Sequence, residues 1–283
     1  MQSALIYRFQ AAIAGAIVGE AIATQQTKRL RHQRYSLEQL MRFYAESLIY
    51  PDRIESPTDP IFQESLTTAE AAIALVPVFL YFHDDFGKLR QNVQRVLKLW
   101  RADGFEPDLM TVGFTIAQAL LETLNPSDLI PQLLTTTATA PPEGIQNLQR
   151  LQQVEALIQQ HVGLEDAVQW LLTLSDTTTG DAAIALAMYC FLSTPTDFRL
   201  SVLRAARTGY QVPVVAALTG ALSGAYNSTI ALPIEWRLNQ SSESPLLATA
   251  LFAQWSGVYR QANLEKLSQS AIAAPQVIRK LPF

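Results

Sequence analysis

Apolar residues recur at every third or fourth position in segment after segment of this chain, and almost nowhere at every second. That spacing lines one face of a helix and argues against strands, which favour alternating β-branched residues. Residues 4–24 form the first predicted helix, with Gly15 and Gly19 four apart so that a second backbone can approach that face. The basic stretch at 28–34 reads as a solvated helix end. Ser36 then stands as an N-cap with Gln39 at the capping-box position, opening a helix to about Tyr50. Pro51, Pro57 and Pro60 mark a loop.

Residues 67–82 predict a buried helix, kinked or restarted around Pro77, where a backbone donor is missing. His83, Asp84 and Asp85 form a turn. Residues 86–100 then carry Leu89, Val93, Val96, Leu97 and Trp100 on one face. Further helices are predicted over 111–124, in a short piece after Asp128, and over 146–161, 164–174, 182–192, 197–208 and 214–226. Residues 135–144, rich in Thr, Ala and Pro, read as a surface loop. A last helix opens near Pro245, with Leu247, Leu251, Trp255, Val258 and Tyr259 in a stripe. No period of 20 to 50 residues marks a solenoid.

Composition narrows the picture. The chain is 49% apolar and 16% charged, so its 283 residues can bury one large core. A net charge of −4 gives no general attraction for nucleic acid. The lone Cys190 rules out an intrachain disulfide and, inside an apolar run, reads as a small buried hydrophobe. The apolar run after Arg8 is interrupted by Glu20, unlike a signal peptide, and no segment is expected to span a membrane. A cytoplasmic protein is the expectation.

The stretch Gly209-Tyr210-Gln211-Val212-Pro213-Val214, its Ala/Gly-rich continuation to Tyr226 and Leu232-Pro233-Ile234-Glu235-Trp236 resemble a known signature. In the ADP-ribosylglycohydrolase family, Gly-Asp-x-Asp-Thr precedes such a helix and then Ile-Pro-x-x-Trp. Gly15-Ala16-Ile17-Val18-Gly19-Glu20-Ala21 resembles that family's opening Gly-x-x-x-Gly-Asp-Ala, and Thr68-Ala69-Glu70-Ala71-Ala72 its Ser-Asn-Gly-Ala-Ala. The resemblance implies an all-α, single-domain orthogonal helical array over residues 1–236. Residues 237–283 would then be a helical extension packed on the domain or on a partner.

The resemblance also implies a site between two aspartate motifs that hold two Mg²⁺ ions. Here Gln211, Pro213 and Val214 occupy one motif, and Tyr35, Ser36 and Leu37 stand where the other belongs. Mg²⁺ wants hard oxygen ligands in near-octahedral array, and most of these residues offer none. No metal and no cofactor are therefore expected. Glu20, Ser36, Glu70, Asp181, Tyr210 and Gln211 are the candidate remodelled pocket, and Leu251, Trp255 and Tyr259 the candidate partner anchors.

Elsewhere, His32, His83 and His161 lack metal-pair spacing and read as surface or loop histidines. The Asp84-Asp85 pair reads as an N-cap and the loop around Asp181 as capping. No phosphate-loop or dinucleotide fingerprint occurs. Two functions follow as expectations. One is a non-catalytic binding, regulatory or assembly factor for another protein, with self-association open. The other is a hydrolase of an N-glycosidic or ADP-ribosyl bond with a metal-independent site, using Glu20, Glu70 or Asp181 as acid or base.

Overall fold

The structure is a computed structural model and describes residues 4–27, 36–50, 66–137, 145–173, 182–238 and 243–257. These residues are helical throughout their ordered elements, with no strand among them. In chain order the α-helices are α1 (Leu5–Thr27), α2 (Leu37–Ile49), α3 (Thr68–Ala74), α4 (Val76–Tyr81) and α5 (Phe86–Trp100). Then come α6 (Glu106–Leu120), α7 (Leu129–Thr137), α8 (Ile145–Gln159), α9 (Leu164–Thr173) and α10 (Ala182–Leu192). The last are α11 (Phe198–Ala205), α12 (Val212–Asn227), α13 (Ile234–Leu238) and α14 (Glu243–Ser256). Short 3₁₀ turns at Asp103–Phe105 and Thr229–Ala231 lead into α6 and α13.

Local chemistry sets most of these boundaries. Ser36 caps α2 as the sequence predicts, with both bonds of the capping box made to Gln39. Asp85 caps α5 through Lys88 N at 3.0 Å, and Asp197 caps α11 through Leu200 N at 2.8 Å. The predicted 67–82 helix breaks at Leu75, two residues before Pro77. Proline takes the second position of α4, where a missing donor costs nothing because early helix donors are unsatisfied anyway. The helix expected over 111–124 instead starts at Glu106, with Pro107 in its first turn, and stops at Leu120. Beyond it Glu122 turns left-handed at φ 58°.

At the centre lies α12, buried along nearly all its length and packed against α1, α3, α6, α10 and α11. The α1–α12 contact is backbone on backbone. A Cβ added at Gly15 would sit 2.1 Å from Gly220 O, one at Gly19 2.0 Å from Ala216 O, and one at Gly224 2.1 Å from Ala11 O. Those pairings fix an antiparallel register, with backbone against backbone where side chains usually intervene. The close approach anticipated for Gly15 and Gly19 is therefore present. By length and composition α1 is apolar enough to cross a membrane, contrary to expectation, yet 56% of that window is buried inside the protein. Its apolar character serves the core.

Arg8 ties this pair to α6. Its Nη1 donates to Tyr226 O at 2.6 Å, Ala225 O at 3.1 Å and Ala119 O at 3.1 Å, and Nη2 pairs with Glu122 at 3.2 Å. One guanidinium thus serves carbonyls at the C-terminal ends of α6 and α12, where the helix dipole favours positive charge.

The final helix, α14, packs on α1, α2 and α4. Trp255 is 0% exposed, with its ring 6.0 Å from Phe9, 5.5 Å from Phe252 and 5.0 Å from His83. Leu251 is equally buried. The two expected partner anchors are therefore core residues, since a side chain without exposed surface offers a partner no contact while α14 stays docked. Tyr259 and Val258 lie outside the described residues.

Candidate functional site

The α1–α12 register carries Glu20, next to Gly19, alongside the first turns of α12, and Gln211 stands immediately before that helix. Glu20 is half-buried. Gln211 is the N-cap of α12 at φ 39°, ψ 43°, a left-handed conformation that costs a residue with a Cβ. Its Nε2 donates to Tyr210 OH at 3.3 Å, and its Oε1 is buried without a hydrogen-bond partner among the described residues. Val212 and Val214 turn inward on either side of Pro213, which holds the second helical position.

Ser36 and Glu70 belong to neighbouring helices, α2 and α3, which pack together, and α3 also packs on α12. Ser36 is exposed; its Oγ accepts from Gln39 N at 3.2 Å, and Gln39 Oε1 accepts from Ser36 N at 2.8 Å. Glu70 is 6% exposed and makes the matching box with Thr67. Its Oε2 accepts from Thr67 N at 2.9 Å, while Thr67 Oγ1 accepts from Glu70 N at 3.3 Å. Leu37, beside Ser36, is fully buried. Asp181 lies outside the described residues.

The donor chemistry does not fit a pair of Mg²⁺ ions. Leu37, Pro213 and Val214 carry no side-chain oxygen, Gln211 and Ser36 offer neutral ones, and Ser36 is occupied in its cap. A binuclear divalent site needs several carboxylates to offset its charge. Among the described residues no three His, Cys, Asp or Glu side chains gather as a metal site would require.

Other polar groups escaped the sequence reading. His83 was expected in a surface turn, yet it is 3% exposed, with its ring 5.6 Å from Phe9 and 5.0 Å from Trp255. Its Nδ1 donates to Leu80 O at 2.7 Å, since a carbonyl can only accept. Asp108 accepts from Asn147 Nδ2 at 2.5 Å and lies 3.9 Å from the Arg150 guanidinium, joining α6 to α8 inside the protein. Tyr189 OH donates to Val162 O at 2.5 Å and accepts from Arg204 at 3.0 Å. Burial raises the Tyr189 pKa, with Arg204 pulling the other way. Cys190 is buried as expected, and desolvation pushes its thiol up to about 12, so it is no nucleophile near neutral pH.

A central glycine-faced helix pair inside an all-α array, with the start of α12 beside α1, defines a fold class. The profile of the ADP-ribosylglycohydrolase family matches residues 55–262, a span that takes in α14. This chain belongs to that family. Among solved structures, one described as an ADP-ribosylglycohydrolase-related protein complex superposes with a TM-score of 0.62 at 17% identity. The match covers 89% of this chain and 99% of that chain. At such identity the likeness shows the fold alone. No curated protein matches the chain in a sequence comparison.

Proposed function

We propose that this protein is a non-catalytic member of its family, acting as a binding, regulatory or assembly factor for another protein. One observation carries the reading. The glycine-faced α1–α12 pair is kept, while Gln211, Pro213, Val214, Ser36 and Leu37 stand at the positions that resemble the family's metal motifs. Scaffold and chemistry have parted company. The similar solved structure is described as a complex, which is in keeping with a scaffold that works by assembly. Such a factor needs no site cofactor, and Glu20, Tyr210 and Gln211 beside the start of α12 would bind rather than cleave.

The test is capture of a partner by the tagged full chain, followed by reconstitution from purified components. A stoichiometric complex that forms equally well with and without Mg²⁺ is expected. A chain that elutes alone and hydrolyses an ADP-ribosyl bond would instead establish the rival reading, a hydrolase with a metal-independent site.

A further inference from the structure

We propose that this chain associates with a second copy of itself, the basic face of α5 on one copy receiving the acidic, Trp-bearing face of α9 on the other. The inference stands apart from the binding-factor reading, because an enzyme on this scaffold could assemble through the same two faces.

Helix α5 and its left-handed C-cap residue carry Lys88, Arg90, Arg95, Lys98 and Arg101 and not one Asp or Glu, in a chain whose net charge is −4. The helix buries Leu89, Val93, Val96 and Leu97, which leaves the cations on its outer side. Two of them are answered locally. Lys88 Nζ lies 3.0 Å from Asp85, and Arg90 Nε donates to Glu106 at 2.7 Å. Arg95, Lys98 and Arg101 are exposed, each three positions from the next, and their side chains meet no carboxylate among the described residues. A cation in the last turn suits the helix dipole, but that effect fades within one turn and does not account for Arg95.

The complement is on α9. Glu165 and Asp166 are exposed in its first turn and form no ion pair among the described residues. One turn beyond Asp166, on the same face, Trp170 is 57% exposed, while Ala167 and Leu171 of the same helix are buried. The dipole alone explains acids at a helix start. It does not explain a large aromatic beside them that takes no part in the core. The spans match, since Arg95 to Lys98 and Asp166 to Trp170 each cover about one helical turn, with about 5–6 Å between Cβ atoms. Arg and Trp are the side chains that contribute most at interfaces, and a guanidinium over an indole face adds a cation–π contact.

Within one copy α5 packs on α4 and α6, and α9 on α8 and α10, so neither face covers the other. Both halves of the contact are present on one chain, which favours a second copy over an unrelated acidic partner. The contact is then made twice about a two-fold axis or repeats head to tail.

Sedimentation velocity of the full chain tests the proposal. The chain is expected to associate at micromolar concentration in about 0.1 M salt. Raising the salt to about 1 M shortens the screening length from about 10 Å to about 3 Å and is expected to weaken association about tenfold. Trp170→Ala is expected to weaken it by about tenfold as well, the loss of an interface anchor. A Lys98→Glu, Arg101→Glu variant and a Glu165→Lys, Asp166→Lys variant are each expected to sediment as monomers, and an equimolar mixture of the two to associate again. That restored association is expected to fall with Trp170→Ala, which general charge attraction would not do. Ile230→Ser, at a 78% exposed position on neither face, is expected to leave association unchanged. If a charge-reversed chain fails to fold by circular dichroism, the salt series and Trp170→Ala decide alone. A parent chain that stays monomeric at about 100 μM overturns the proposal. So does association that ignores Trp170→Ala and the charge reversals, or a mixture that stays monomeric.

Discussion

Arg8 serves three main-chain carbonyls at the ends of two helices, and nothing in its sequence neighbourhood announces that role. Replacing it with methionine keeps the apolar stem and removes every donor. Arg8→Met is expected to cost about 2–3 kcal/mol, the range for losing charge-assisted bonds to partly buried acceptors, measured as a drop in the urea midpoint. Cys190 gives a second prediction at this scale. Its folded pKa, about 12, lies above the free value of 9.0 because burial disfavours the thiolate. The contribution is therefore fully present below the unfolded pKa and is lost as pH rises from about 9 toward 12, by up to ~1.4 kcal/mol per pH unit. Cys190→Ala removes that term, so its stability relative to the parent should improve across the same alkaline window. Identical pH slopes for the two proteins would contradict it.

At the scale of elements, the boundaries legible in the sequence are those set by neighbours along the chain. The capping box at Ser36, the cap at Asp85 and the apolar run of α10 all follow from residues within one turn. What escaped depends on distant packing. His83 is buried because α1 and α14 bring Phe9 and Trp255 against it, and no local pattern encodes that meeting. Arg150 likewise lies on a polar-looking helix and is drawn inward by Asp108, 42 positions earlier in the sequence. Gln211 and Tyr210 do pair at the start of α12, but Ser36 and Glu70 work as caps, a role the sequence reading assigned to Ser36 and missed for Glu70. The close backbone approach at Gly15 and Gly19 was legible in the sequence, but its partner, α12, was not. Gly220→Val tests it, since a Cβ there would lie 2.0 Å from Gly15 O, on backbone that cannot step aside. The variant is expected to be severely destabilised or unfolded by circular dichroism, whereas Gly104→Ala, with nothing within 4 Å, is expected to melt within about 2 °C of the parent.

Across the whole molecule, α14 decides how far the fold extends. Leu251, Phe252 and Trp255 fill a space between α1 and the turn holding His83. A chain ending at Trp236 would uncover Phe9 and His83 and is expected to aggregate or lose cooperative unfolding. A truncated chain that stays folded and monodisperse would show that α14 is dispensable to the core. An intact family scaffold is compatible with either a binding protein or an enzyme, and only chemistry separates them. The most direct measurement is release of ADP-ribose from an ADP-ribosylated protein by the purified full chain, with and without millimolar Mg²⁺. Release no faster than in buffer is expected under either condition. Mg²⁺-dependent turnover would contradict it.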